Sequence, residues 1–149
     1  VYFRAAYDAI RPGGLFLNHG IVRTTRGGAL RRQLSGRPAG FLDKYVFPDG
    51  ELVTVEECIA IARGAGFELI DVQSLRPHYA LTLAAWVARL EDRWSEAVAA
   101  AGAEIARTWR LYMSAARLAF ERGDCDVVQL LLARPAGGGP APRRIRPWW

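Results

Sequence analysis

A helix, a glycine turn and a short apolar run follow one another at the start of the chain, and this order constrains the fold more than any other feature. Apolar and aromatic residues recur at close to helical spacing over residues 1–11, and Pro12, Gly13 and Gly14 then interrupt the helix. The apolar run at residues 15–18 is typical of a short buried strand. A helix that leads directly into a buried strand is typical of α/β folds, and we expect the sheet to be parallel at this point.

The same order recurs in the middle of the chain. Thr54 followed by Glu57 fits a capping box, which predicts a helix over residues 55–63. Residues 67–75 alternate between apolar and polar side chains closely enough to predict a second strand. Between the helix and the strand, a left-handed exit is predicted at two glycines, Gly64 and Gly66.

The carboxyl-terminal half adds helices to these two units. Residues 79–120 are rich in alanine and helical in pattern, and Gly102 divides them into two helices that we expect to pack together. A strand rich in Val and Leu follows over residues 126–133. These elements predict the second half of a doubly wound α/β sheet with an added helical pair, all within residues 1–134. Residues 135–149, rich in Pro, Gly and Arg, are predicted to form a flexible tail.

The positive charge is concentrated in two segments. The chain of 149 residues has a formal net charge of +5 and is 51% hydrophobic, which is typical of one compact domain. Residues 20–50 lack a long hydrophobic period, and a loop of this length tends to carry function. Such arginine clusters favour contact with the phosphates of nucleic acid or of anionic lipid, although a solvated loop fits the same pattern. The eight clustered arginines are Arg23, Arg26, Arg31, Arg32, Arg37, Arg143, Arg144 and Arg146.

Residues that can carry chemistry follow the two predicted strands. In a doubly wound sheet, ligands bind beyond the carboxyl ends of the strands, which here are followed by His19, His78 and Tyr79. An imidazole titrates near neutral pH and a phenol can donate to an anion, so these groups are candidates for a site. A histidine satisfied by backbone groups is the alternative. The sequence has no GxSxG, P-loop or HExxH motif, and its two cysteines, Cys58 and Cys125, lack metal-ligand spacing and are interpreted as buried thiols.

Four segments together resemble a known family. They are RPGGLFLNHGI, FLDKYVFPDGEL, LRPHYALTLAAW and TWRLYMSAARLAF, in this order. Over residues 1–134 the chain resembles the cyclopropane fatty acid synthases and the related mycolic acid cyclopropane synthases. The resemblance implies a class I, Rossmann-like methyltransferase that uses S-adenosylmethionine. It also implies the reaction, in which a methyl group is transferred to a cis double bond of a phospholipid acyl chain, and proton loss and ring closure follow.

The resemblance also implies the roles of individual residues. A bicarbonate ion that accepts the proton would be held by three of them: His19, Ile21 through its main chain, and Tyr79. The acyl chain would run along three others, for which ordinary core packing is the alternative: Phe47, Leu83 and Tyr112. The residues that bind S-adenosylmethionine would lie before Val1. We therefore expect this chain to be the carboxyl-terminal portion of a longer enzyme and to be inactive alone.

The resemblance also implies that the enzyme acts at a membrane surface. We expect unsaturated phospholipid acyl chains as partners and peripheral binding at the inner, cytoplasmic face of the membrane, with homodimer formation left open. Nucleic acid is not expected as a partner, because no stacking aromatic residues lie among the arginines. Two alternatives stay open: a related S-adenosylmethionine-dependent methyltransferase with a methyl-branched or non-lipid product, and a non-catalytic binding domain.

Overall fold

The computed structural model describes residues 1–24 and 52–137, and these form three strands and five helices. In chain order the elements are α1 (Tyr2–Ala9), β1 (Leu15–Arg23), α2 (Val55–Gly64), β2 (Glu68–Ser74), α3 (Arg76–Asp92), α4 (Trp94–Ala101), α5 (Ala103–Arg122) and β3 (Cys125–Ala133). Three predictions fall outside these residues: Phe47, the arginines between residues 25 and 51, and the tail from residue 138. In the part of the chain that is described, no helix is both long and apolar enough to cross a lipid bilayer.

β3 lies between β1 and β2 in the sheet and runs in the opposite direction to β2. The two strands pair antiparallel, with Ser74 opposite Val128. The expected parallel sheet is therefore wrong at this pair. The helices after β2 bring the chain back to the end of the sheet where β2 stops, since the amide of Leu75 donates to the carbonyl of Val127 at 2.7 Å. A strand that starts from this end runs antiparallel to β2, whereas a parallel strand needs a crossover to the other end.

β1 is antiparallel to β3 as well. At one end the amide of Gly13 donates to the carbonyl of Arg134 at 2.8 Å, and at the other the amide of Thr24 donates to the carbonyl of Asp124 at 3.3 Å. β1 and β2 are thus parallel to each other, as two successive helix–strand units predict, and β3 is inserted between them.

The described residues divide into two compact units. The first comprises Val1–Gly20, Val53–Ser74 and the chain from Val128 onward, and the second comprises Ile21–Leu52 and Leu75–Val127. Helices α1 and α2 and strand β2 belong to the first unit. Helices α3, α4 and α5 belong to the second, while β1 and β3 each run through both.

Aromatic side chains fill the core of the first unit. Tyr7 of α1 lies edge-on to Phe67, with ring centroids 5.1 Å apart. Gly66 has a φ of +104°, and a Cβ at this position would lie 3.0 Å from the Tyr7 ring, so a glycine is required there. Gly64 is the last residue of α2 and has no positive φ, which corrects the predicted exit through two glycines. The other buried side chains of this unit include Phe3, Ala62, Leu130 and Leu132.

The capping box at the start of α2 is confirmed. The amide of Thr54 donates to Oε2 of Glu57 at 2.7 Å, and the amide of Glu57 donates to Oγ1 of Thr54 at 3.2 Å. α2 begins at Val55, as predicted, because this reciprocal pair satisfies two backbone donors at the helix start.

The second unit is a bundle in which α5 contacts both α3 and α4. The predicted helical pair corresponds to α3 and α5, but the alanine-rich segment contains three helices rather than two. Arg93, with φ −112° and ψ 33°, separates α3 from α4, and Gly102, with φ +85°, separates α4 from α5. α3 also begins earlier than predicted, at Arg76. The buried cluster of this unit consists of Leu83, Met113, Phe120 and Val127.

Candidate functional site

β1 presents two of the predicted site residues on one side of the strand. His19 and Ile21 are two positions apart, so their side chains point to the same face. Both side chains are exposed. The imidazole has a polar neighbour, because the amide nitrogen of Gln129, on β3, lies 3.2 Å from Nδ1 of His19. β1 therefore offers an imidazole and, two residues later, the main chain of Ile21.

Asn18 points to the opposite face and ties β1 to the helices of the first unit. Its Oδ1 accepts a hydrogen bond from the hydroxyl of Tyr2 at 3.2 Å. Its Nδ2 donates to Sγ of Cys58, in α2, at 3.9 Å. Cys58 is buried, and burial raises the pKa of its thiol. These contacts hold Asn18 toward the helices, so the next residue, His19, is held on the other face of the strand.

Tyr79 lies in the first turn of α3, directly after β2. Its amide donates to the carbonyl of Leu75 at 3.0 Å, which fixes the start of the helix. The Tyr79 side chain is half-buried, and the centroid of its ring lies 5.6 Å from that of Phe120 on α5. His78 also lies in this turn, but its side chain is exposed and is not part of the buried cluster.

Three predicted site residues share the core of the second unit. Leu83 is 3% exposed and belongs to the central cluster, against which Tyr79 and Tyr112 pack. The ring of Tyr112 lies edge-on to that of Trp109, with centroids 5.5 Å apart. Burial raises the pKa of Tyr112, and the nearby Cys125 raises it further, so the phenol is neutral at neutral pH. The cluster therefore combines a hydrocarbon surface with two phenolic hydroxyls.

Cys125 packs against this cluster at the start of β3. Burial, followed by the charges of Asp124 and Asp126, raises the pKa of its thiol to about 11. The thiol is protonated at neutral pH and is therefore a poor nucleophile. The prediction of buried thiols is confirmed for Cys58, whereas Cys125 is half-buried.

Gln129 is a residue of this region that the sequence alone did not indicate. It is half-buried and is the only polar residue in the run from Val127 to Ala133. A lone amide within an apolar strand needs a polar partner, and His19 supplies one. The only indication in the sequence that Gln129 has a special role was that it interrupts this apolar run.

The family of the chain follows from a comparison with known proteins. The family model for mycolic acid cyclopropane synthetase matches residues 1–130. The chain belongs to this family. It is 36% identical over 148 residues to a probable fatty acid methyltransferase of Mycobacterium tuberculosis, covering 99% of this chain and 33% of that protein. It is 38% identical over 144 residues to a probable fatty acid methyltransferase of Pseudomonas putida, covering 93% and 34%.

Solved structures of this family share the fold. The cyclopropane synthase MmaA2 from Mycobacterium tuberculosis matches with a TM-score of 0.77 at 31% identity, covering 89% of this chain and 48% of that one. The mycolic acid cyclopropane synthase CmaA1, solved with SAH and CTAB, matches with a TM-score of 0.77 at 27% identity and the same coverage. The predicted methyltransferase fold is thereby confirmed. The chain spans about a third to a half of the length of these relatives.

Proposed function

We propose that the protein carrying this chain is an S-adenosylmethionine-dependent methyltransferase of the cyclopropane synthase type. Its substrate is a cis double bond in an acyl chain of a phospholipid, which it converts into a cyclopropane ring. The observation that carries the proposal is the buried cluster of the second unit, which contains Leu83 and against which both Tyr79 and Tyr112 pack, although Tyr112 lies on a different helix. A binding site for an acyl chain needs mostly hydrocarbon surface and few polar groups, and this cluster has that composition.

The relatives support a fatty acyl acceptor over a mycolic acid. The identities to the two probable fatty acid methyltransferases are 36% and 38%, against 32% for MmaA2. The alignment with the Mycobacterium tuberculosis methyltransferase also covers 99% of this chain, whereas that with MmaA2 covers 89%. The match to the fatty acid methyltransferases is thus both closer and more complete.

Two small molecules complete the proposed chemistry. S-adenosylmethionine would supply an electrophilic methyl group, and bicarbonate would supply the base for the proton that is lost before ring closure. The complex of CmaA1 with SAH supports the first of these. Among the described residues we assign none to donor binding. For bicarbonate we retain His19, Ile21 and Tyr79, because an imidazole N–H, a main-chain N–H and a phenol O–H are the kind of donors that a small oxyanion requires.

We also propose that the enzyme works at the cytoplasmic face of the membrane, held there by the arginines of residues 20–50. Each arginine near an anionic leaflet contributes about 1 kcal/mol to binding, and salt weakens this attraction. Replacing Arg26, Arg31 and Arg32 by glutamine should therefore reduce cosedimentation with anionic vesicles at low salt and leave the binding of S-adenosylmethionine unchanged. Equal cosedimentation of variant and parent would argue against these arginines as the membrane contact.

Transfer of labelled methyl groups to lipid vesicles tests the proposed function. The protein carrying this chain is incubated with labelled S-adenosylmethionine, bicarbonate and vesicles of a single head group, whose acyl chains are either cis-monounsaturated or fully saturated. We expect label in the lipid fraction with the unsaturated vesicles and none with the saturated ones. Label in neither preparation, or equally in both, contradicts the proposal.

A methyltransferase that forms a methyl branch is the second candidate. The names of the two fatty acid methyltransferases favour it, since they specify methyl transfer and no ring. The donor and the unsaturated acceptor would be the same, so the vesicle assay would give label in both cases. The two candidates differ in the number of hydrogens that the transferred carbon retains.

A further inference from the structure

We propose that Gln129 is a positioning residue that fixes the tautomer of His19, so that His19 presents Nε2–H to the bicarbonate anion. The inference rests on the proposed function, in which His19 holds that anion. It is carried by one contact within the first unit, where Nε2 of Gln129 lies 3.2 Å from Nδ1 of His19.

The contact follows from the pairing of two strands. β1 and β3 are neighbours in the sheet, and the amide of Arg134 donates to the carbonyl of Gly14 at 2.9 Å where the two strands meet. His19 and Gln129 lie equally far from this pair along their strands. Because the strands are antiparallel, the two residues come to lie beside each other, and residues side by side in a sheet point to the same face.

The chemistry of the two side chains then fixes the proton. An amide N–H only donates, so Nδ1 of His19 is the acceptor in this contact. A neutral imidazole carries one ring proton, and when Nδ1 accepts, that proton is on Nε2. Nε2–H can donate to an oxyanion, whereas the opposite tautomer would turn a lone pair toward the anion and repel it. Gln129 thus selects the form of His19 that binds bicarbonate.

A second glutamine in the same row of the sheet provides a matched control. Gln73 on β2 is the register partner of Gln129, one strand further from His19, and its side chain is exposed. The two residues have the same side chain, but Gln73 lies on the outer strand of the described sheet and further from the imidazole. A substitution at Gln73 therefore tests for general effects of changing an amide on this sheet.

Nitrogen NMR of the histidine rings reports the tautomer directly. The protein carrying this chain is labelled with nitrogen-15 histidine and studied at a pH where imidazoles are neutral, with the exposed His78 as internal reference and the His19 signals assigned from a His19→Asn variant. We expect His19 to be in the Nε2–H form, and Gln129→Leu to give a mixture of tautomers. Gln129→Glu should shift His19 to the Nδ1–H form, because a carboxylate accepts where the amide donated. Gln73→Leu, which removes an amide without adding a charge, should leave the tautomer of His19 unchanged. Identical His19 shifts in all variants would overturn the proposal.

Turnover of the lipid substrate decides whether the tautomer matters for function. A wrong tautomer can cost up to about 10⁴-fold in rate and loss of an orienting partner about 10- to 100-fold, so we expect Gln129→Glu to lower kcat at least tenfold. Gln73→Leu should leave kcat unchanged. If Gln129 acts through His19, the effect of Gln129→Glu should disappear in a His19→Asn background.

The outcomes of the two experiments separate the inference from the proposed function. An equal loss of kcat from Gln129→Glu in both backgrounds would show that Gln129 does not act through His19, and the proposal would fall. A failure of the parent protein to modify any lipid would instead contradict the proposed function. The NMR result on the tautomer does not depend on that activity.

Discussion

Replacing Tyr79 by phenylalanine removes one hydroxyl and keeps the aromatic ring. The ring is half-buried against Phe120, 5.6 Å between centroids, and lies beside the cluster around Leu83. Phenylalanine occupies the same space and keeps these contacts. The substitution therefore isolates the contribution of the hydroxyl, which we propose donates to bicarbonate.

The expected effects on rate and on stability differ widely. Loss of one preorganised donor to an anion in a site typically costs roughly 10- to 1000-fold in rate, so kcat should fall by that factor. The free energy of unfolding should change by about 1 kcal/mol or less, because one net hydrogen bond is worth about that much and the ring contact is kept. Tyr79→Ala should additionally destabilise the protein, by roughly 2 to 3 kcal/mol, because it also removes a half-buried ring.

The measurement combines turnover on cis-unsaturated vesicles with denaturant unfolding. Tyr7→Phe is the matched control, since Tyr7 is also half-buried and in contact with an aromatic ring, that of Phe67, but belongs to the first unit. We expect turnover of the Tyr7 variant to equal that of the parent. Unchanged turnover with weaker vesicle binding in Tyr79→Phe would refute the reasoning and identify Tyr79 as a packing residue.

Three further predictions concern stability. Leu130 is fully buried, so Leu130→Ala should lower the free energy of unfolding by about 2 to 5 kcal/mol in urea titrations, and a loss below about 1 kcal/mol would contradict its place in the core. Thr54→Ala should cost about 1 kcal/mol while Thr54→Ser costs little, and equal losses would contradict the cap. The pKa of the Cys125 thiol is raised from 9.0 to about 11 in the folded protein, so between these pH values the thiol is ionised in the unfolded state and protonated in the folded state. The free energy of unfolding should therefore fall between pH 9 and about pH 11, by on the order of 2 kcal/mol. A Cys125→Ala variant should lack this fall, and an identical pH dependence in both proteins would contradict the assignment.

Features that depend only on residues close together in the sequence, such as the start of a helix or a turn, were predictable. Thr54 and Glu57 cap a helix through bonds three residues apart, and Gly66 is required by a positive φ at one residue. The break at Arg93 was not predictable, because the alanine-rich pattern on both sides of it is uniformly helical. The direction of β3 depends on which end of the sheet the chain re-enters. That is a property of the helical bundle as a whole and not of residues 125–133.

The candidate site was also predictable only in part, because contacts between residues far apart in the sequence depend on the fold as a whole. The topology of a doubly wound sheet pointed to His19 and Tyr79 because each follows a predicted strand. The first strand was predicted too short, however, since β1 continues to Arg23 and His19 lies within it. The contact of His19 with Gln129 was not predictable, because Gln129 is 110 residues away in sequence and lies beside His19 only through the insertion of β3 next to β1. The roles of Phe47, Leu83 and Tyr112 on the acyl chain stay predictions, and Phe47 lies outside the described residues.

The fate of the transferred carbon tests the central claim most directly. The protein carrying this chain is incubated with vesicles of cis-monounsaturated phospholipid and S-adenosylmethionine whose methyl group is fully deuterated, and the mass of the released acyl chains is measured. Ring closure removes one hydrogen from the transferred methyl group, so we expect products that gain one carbon with two deuterons. Products that retain all three deuterons would show a methyl branch and contradict the cyclopropane assignment, and acyl chains without deuterium would contradict methyl transfer to lipid altogether.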